Sequence, residues 1–168
     1  MIHVCSLARL HSTVEDTGAR HIVTLLKTID RVQRPDCVPV ANHLILGMDD
    51  ITCETDGFVH PCADHVSQLV EFVQGWDRRN AMVIHCYAGI SRSTAAAFVA
   101  ACALNPKRSE ARIAQAIRDG SPTATPNIRI VTLADQILGR GGRMIKAVEA
   151  IGAGEFALEG HPFQLDLE

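Results

Sequence analysis

The sequence predicts an α/β fold, with a central, mainly parallel sheet of about four to five strands flanked by helices. Three observations carry that expectation. Short β-branched runs alternate with longer stretches of helical period, the pattern of strands joined by helical crossovers. Strand candidates crowd the first half of the chain and helix candidates the second. One run, "AAAFVAACAL" from Ala95 to Leu104, is apolar nearly all round, which places it inside a layered fold rather than on its surface.

The elements follow in order. "IHVC" near residue 2 is the first strand and "HIVTLL" at 21–26 the second. Between them Ser12 and Glu15 stand at the spacing of a capping box, and Gly18 ends the segment after a short helix. "HLILGM" at 43–48 is the third strand. From Pro61 to Trp76, the positions Val66, Leu69, Val70 and Val73 draw one helical face. "MVIHC" at 82–86 is the last of the expected strands, and the buried helix from Ser93 to Leu104 follows it after a short loop. Helices over 110–119, 126–138 and 143–151 come next, closed by Gly120, Gly139 and Gly152. Residues 1–152 read as a single domain. Residues 153–168 have apolar positions but no clear period, and read as a C-terminal tail, either an extended arm or a mobile end.

Composition narrows the function classes. A 168-residue chain that is 47% hydrophobic has material for one domain with its own core. The formal charge is -3 and the charges are scattered, so neither a nucleic-acid nor a membrane partner is expected. "MIHVCSLARLHS" lacks the pattern of a secretory signal, and the run from Ala95 to Leu104 is too short to span a bilayer. A cytoplasmic protein is expected. A core of this size has no need of a disulfide framework, so the six cysteines read as free thiols. His60, Cys62 and His65 in "HPCADH" could suggest a metal, but the stretch reads more simply as a helix entrance with Pro61 in the first turn. No metal and no cofactor are expected.

The stretch that carries chemistry is "HCYAGISRS", residues 85 to 93. Cys86 ends an apolar strand and a helix starts just after a glycine-bearing loop. The amides of Tyr87, Ala88, Gly89, Ile90, Ser91 and Arg92 can therefore converge on one point, together with the helix N-terminus. Such a nest binds a dianion and favours the thiolate form of a cysteine pointing into it. Gly89 lets the loop turn without a Cβ in the way. Arg92 adds a planar fork of donors that grips two oxygens of a phosphoryl group, which a lysine would meet only as a point charge. Nucleophile, anion cradle and clamp on one loop are the constellation for phosphoryl transfer through a phosphocysteine. The Cys-x5-Arg spacing alone arises by chance in about a quarter of chains with this many cysteines. The strand before it, the glycine within it and the buried helix after it give it specificity.

"HCYAGISRS" resembles the signature loop of the cysteine-dependent protein tyrosine phosphatase superfamily, His-Cys-x5-Arg-Ser/Thr. The "SRS" ending and the small size resemble its compact, bacterial, dual-specificity-like branch. The element order from "HIVTLL" to Leu138 is the one expected of that fold. The resemblance implies that Cys86 attacks phosphorus and that Arg92 binds the phosphoryl group. It also implies that Ser93 stabilises the thiolate as it leaves, and that His85 orients the loop and helps set the thiol's acidity. The family's general acid is an aspartate on a mobile loop a few tens of residues before the cysteine. "GMDDI" offers Asp49 and Asp50, and Asp56 is a third candidate; Asp50, followed by Ile51, matches the Asp-Ile step of compact bacterial members. "CETDGF" looks like an extra loop. Pro126-Asn127 resembles the family's Pro-Asn step beside the signature loop, which gives Asn127 a supporting structural role.

Two departures bear on the substrate. The chain has one tyrosine, Tyr87, inside the loop, and so lacks the tyrosine-bearing recognition loop of the large classical members. "YAGI" is neutral, without the lysines that phosphoinositide phosphatases place there. The expected partner is a phosphorylated protein or other single phosphomonoester, phosphotyrosine first. A catalytically silent phosphate-binding module and a rhodanese-like sulfurtransferase are the alternatives; Gly89 and the Arg92-Ser93 ending suit the sulfurtransferase less well. Cys86 sits mid-chain, which argues against the small arsenate reductases.

Overall fold

Successive side chains of a strand leave on opposite faces of its sheet, and in this protein the two faces bury very different amounts. The computed structural model describes residues 1–28 and 31–167. In chain order the elements are β1 (Ile2–Ser6), α1 (Leu10–Thr17), β2 (His21–Leu25), β3 (His43–Leu46), α2 (Ala63–Gln74), β4 (Met82–Cys86), α3 (Arg92–Leu104), α4 (Glu110–Gly120), α5 (Ile128–Ile137), α6 (Arg143–Ile151) and β5 (Phe163–Leu165). Ile2, Val4, Val23, Leu25, Met82, Ile84 and Cys86 face a large core shared with α2 through α6. The alternate residues Cys5, Ile22 and Val83 face a small core closed by Leu10 and Val14 of α1 and by Val38. The result is a five-stranded sheet with one helix on one face and five on the other.

Strand order is β3-β2-β4-β1-β5. The first four run parallel, with Ser6 opposite Cys86 and Thr24 opposite His85, while β5 pairs antiparallel with β1. All five residues of β4 are buried, as a central strand covered on both faces requires. Every residue of α3 from Arg92 to Cys102 is buried too. Its alanines let the helix backbone approach β4, β1 and β2 closely. The loop between β4 and α3 therefore opens at the carboxyl ends of three parallel strands, where open α/β sheets bind ligands.

Three local expectations are revised. Ser12 does not cap α1: the helix begins at Leu10, a single 3-10 turn at Leu7–Arg9 leads into it, and the Ser12 hydroxyl donates back to the Arg9 carbonyl at 3.1 Å. Leu10 and Val14 must both reach the sheet, which draws the start forward. Pro61 precedes the first turn of α2 rather than standing in it. Cys62 is the N-cap, and its amide donates to His65 Nδ1 at 3.2 Å, so this histidine closes the helix end. The segment read as a tail supplies β5, with Phe163 and Leu165 buried against the core and Gln164 turned out. No helix among the described residues is long and apolar enough to cross a membrane.

Candidate active site

Cys86 is the last residue of β4 and Arg92 the first of α3, so the five residues between them must reverse the chain within one short loop. Gly89 makes the reversal possible. Its φ is +75°, and a Cβ there would stand 2.8 Å from the Cys5 carbonyl carbon and from the Ser6 nitrogen. Only glycine has both the left-handed conformation at no cost and the clearance against β1.

The loop carbonyls are turned outward and tied down by four separate parts of the fold. Tyr87 O accepts from the Leu7 amide at 3.1 Å, and Ala88 O from the Gly160 amide at 2.9 Å. Ile90 O accepts from Thr125 at 3.0 Å, and Ser91 O from both Ala95 and Asn127. A trans peptide is planar, with N–H pointing opposite to C=O. The amides of Ala88, Gly89, Ser91 and Arg92 thus point away from those partners, toward the loop's centre. That is an anion nest at the N-terminus of a thirteen-residue helix.

Three side chains converge on the nest. Cys86 Sγ lies 3.2 Å from Ser93 Oγ, both groups buried. The Arg92 guanidinium is fixed by one bond, from Nη1 to the Met48 carbonyl at 2.8 Å, while its buried Nε has no partner among the described residues. A buried donor left unpaired is costly, and an oxyanion in the nest would satisfy it. His85, wholly buried, faces the opposite side of the sheet and accepts or donates at Thr24 Oγ1 (2.7 Å), which also meets His43 Nε2 at 2.8 Å. Its Nδ1 lies 3.4 Å from the Cys86 carbonyl. One assignment satisfies every group: His43 Nε2–H donates to Thr24, the Thr24 hydroxyl donates to His85 Nε2, and His85 Nδ1–H donates to the Cys86 carbonyl. Burial pushes the His85 imidazole down to about 4, so it stays neutral and holds this arrangement at ordinary pH.

No family model matches the chain and no curated protein matches its sequence. Solved structures do. The PTP-2 phosphatase of Cydia pomonella superposes with a TM-score of 0.62 at 18% identity, covering 80% of this chain and 84% of that one. Human DUSP28 gives 0.60 at 18%, covering 89% and 92%. A human tyrosine phosphatase-like serine/threonine/tyrosine-interacting protein gives 0.62 at 16%, covering 83% and 92%. The chain has the protein tyrosine phosphatase fold. Its mostly parallel five-stranded sheet flanked by helices is an α/β fold like that of the dual-specificity phosphatase structures.

Within the phosphatase fold the acid candidates separate by what holds them. Asp50 Oδ1 accepts from Ser91 Oγ and from Asn127 Nδ2, each at 2.8 Å, which ties it to the end of the β4–α3 loop. Asp49 turns elsewhere: its Oδ2 accepts from the Val59 amide at 2.7 Å and lies 3.3 Å from Lys27 Nζ. The Val59 amide first, then Lys27, hold the Asp49 carboxyl below the usual range. Asp56 sits exposed on the turn at Thr55–Phe58. Asn127 does more than support: its side-chain oxygen caps α5 at the Arg129 and Ile130 amides while its nitrogen grips Asp50.

All six thiols are free; burial pushes Cys5 and Cys102 up to about 12, which leaves them inert as nucleophiles. No group of three metal-holding side chains occurs among the described residues. A cavity of about 820 Å³, between the end of α3 and the start of α4, is lined by Leu104, Lys107, Arg108, Ser109 and Arg112, with no cysteine, histidine or carboxylate among its lining residues. Sequence reading passed over Thr24, His43 and Met48. The one signal it had was a threonine inside the apolar strand "HIVTLL", a polar side chain that burial obliges to find a partner.

Proposed function

We propose that this protein is a phosphomonoester hydrolase that acts on phosphorylated protein, phosphotyrosine first, through a phosphocysteine intermediate on Cys86. The phosphoryl oxygens settle among the inward amides of Ala88, Gly89, Ser91 and Arg92, and the Arg92 fork takes two of them, filling its unpaired Nε. Cys86 Sγ attacks phosphorus as the ester P–O bond breaks, and Asp50 gives its proton to the departing oxygen. Water then attacks the phosphocysteine, Asp50 takes a proton back, and the Ser93 hydroxyl, 3.2 Å away, hydrogen-bonds the thiolate as it leaves. Inorganic phosphate is released and the enzyme returns to its starting state with no metal or cofactor in the cycle.

The observation that supports this reading is the buried, half-satisfied arginine on the same loop as a buried thiol, with the loop carbonyls of Tyr87, Ala88, Ile90 and Ser91 tied outward. Four inward amides, the Arg92 side chain and a nucleophile describe a site shaped for a tetrahedral dianion. The test is hydrolysis of p-nitrophenyl phosphate by the wild type and by Cys86→Ser, across pH and without added metal. Turnover that vanadate inhibits and Cys86→Ser abolishes supports the reading. An inactive wild type with Cys86 verified as reduced sinks it, and phosphopeptide binding without turnover would then assign the loop to a phosphate-binding module.

A further inference from the structure

Beside the phosphate loop lies a cavity of about 520 Å³ lined by Leu7, Ala8, Tyr87, Ala88, Leu158 and Glu159. Tyr87 and Ala88 belong to the loop itself, so this rim lies next to the point where a phosphoryl group would enter the nest. Leu158 is 87% exposed and Tyr87 62%. Apolar area left in water costs free energy in proportion to its extent, and large apolar side chains held out beside a site mark a surface made to be covered.

The wall that carries Leu158 is fixed from both ends. The Gly160 amide donates to Ala88 O at 2.9 Å, and the Glu155 amide to the Pro122 carbonyl at 2.9 Å. The Gly154 amide donates to Thr125 Oγ1 at 3.0 Å. Gly154 packs so closely that a Cβ would stand 2.5 Å from the Thr123 carbonyl carbon. Beyond Gly160 the chain enters β5. Glu159 turns its carboxylate to the buried Ser6 hydroxyl at 2.6 Å, with Arg9 at 4.0 Å, so the one charged group that lines the cavity is engaged outside it and the other walls are Leu7, Ala8, Tyr87, Ala88 and Leu158.

The geometry points to a substrate subsite here: the cavity between Tyr87 and Leu158 takes a large apolar side chain that flanks the phosphorylated residue of a polypeptide. This inference rests on the phosphatase reading and adds to it the class of sequence that is dephosphorylated fastest. A mainly apolar slot adjoining a dianion nest selects by the neighbour's side chain, and one such side chain is worth roughly tenfold or more in kcat/KM.

The test compares two phosphotyrosine peptides that differ only in the residues flanking the phosphotyrosine, leucine in one and serine in the other. Wild type and Leu158→Ser are assayed on both, with p-nitrophenyl phosphate hydrolysis by the wild type as the reference reaction. The expected result is a wild-type preference for the leucine peptide of about tenfold, which falls to within about twofold in Leu158→Ser. Equal kcat/KM on the two peptides, from a wild type that turns over p-nitrophenyl phosphate, overturns the subsite and leaves the phosphatase reading standing. So does a Leu158→Ser enzyme that keeps the full preference. A dimer in sedimentation velocity that Leu158→Ser converts to monomer assigns the patch to a second copy of the chain and also overturns the subsite. If the wild type turns over no phosphomonoester, the phosphatase reading fails by itself. The same two peptides are then compared by fluorescence anisotropy on the intact chain, where tighter binding of the leucine peptide supports the subsite and equal binding overturns it.

Discussion

The 48–61 segment meets the end of the β4–α3 loop through side chains, whereas the C-terminal segment meets its beginning through backbone. On the first side, Ser91 and Asn127 both donate to the Asp50 carboxylate, and Arg92 reaches the Met48 carbonyl. On the second, the Gly160 amide holds the Ala88 carbonyl and a glycine at 160 passes within 3.0 Å, counted from where its Cβ would be, of Gly89 O. The two flanks come from opposite edges of the sheet, one following β3 and the other leading into β5. The difference fits the proposed reaction. There the Asp50 carboxylate gives up and regains a proton, and its partners are a hydroxyl and an amide side chain rather than fixed backbone groups. A wall that shapes the mouth needs no such freedom, and backbone bonds between closely packed glycines allow little.

The comparison is broken most severely on the acid side. Asp50→Asn should lower kcat by about 10²- to 10⁴-fold on phenyl phosphate, whose leaving oxygen needs a proton, and by far less on p-nitrophenyl phosphate. Asp49→Asn, whose carboxylate is taken up by Val59 and Lys27, should stay within about threefold of wild type on either substrate. Equal losses in the two variants would move the acid role off Asp50. Gly89→Ala strikes the shared loop: the positive φ and the 2.8 Å approach to β1 force the nest out of shape, and a misplacement of about an ångström costs roughly a hundredfold in rate. Activity and the guanidinium midpoint should both fall; unchanged kinetics would show that the loop does not need its glycine.

Beneath both flanks, the His85 relay makes the fold acid-sensitive. Burial holds the His85 pKa near 4, whereas an unfolded-chain histidine titrates near 6.5. Between those values the unfolded chain binds a proton that the folded one refuses. Stability is therefore complete above pH 6.5 and is lost as pH falls toward 4, by on the order of 3 kcal/mol. Burial moves His3, His21, His43 and His65 in the same direction, so they add to the loss. Denaturant midpoints measured from pH 7.5 down to 4.5 check this; a flat profile would place His85 outside the core. The smallest effect is expected on the C-terminal side. Gly160→Ala presses a methyl against Gly89 O and Ile90, which at about 1 kcal/mol slows turnover roughly fivefold while the fold survives.

Much of this arrangement is legible in the sequence alone. Four strands, six helices and the loop between "MVIHC" and the alanine-rich helix can be read because period and turn chemistry act over a few residues. The loop's own residues, Cys86 through Ser93, lie within one nonapeptide for the same reason. The rest depended on partners far away in the chain. Phe163–Leu165 is too short to show a period, and only pairing with Ile2 to Val4 makes it a strand. Nothing near "GMDDI" distinguishes Asp49 from Asp50; the distinction is drawn by Val59 on one side and by Ser91 and Asn127 on the other. Thr24 and His43 join His85 only because β2 lies between β3 and β4. Local sequence determined which segments form elements and where the loop between β4 and α3 stands. Tertiary structure decided which carboxylate, which histidine partner and which apolar wall face that loop, because those choices are made by contacts between strands and loops that the chain brings together only on folding.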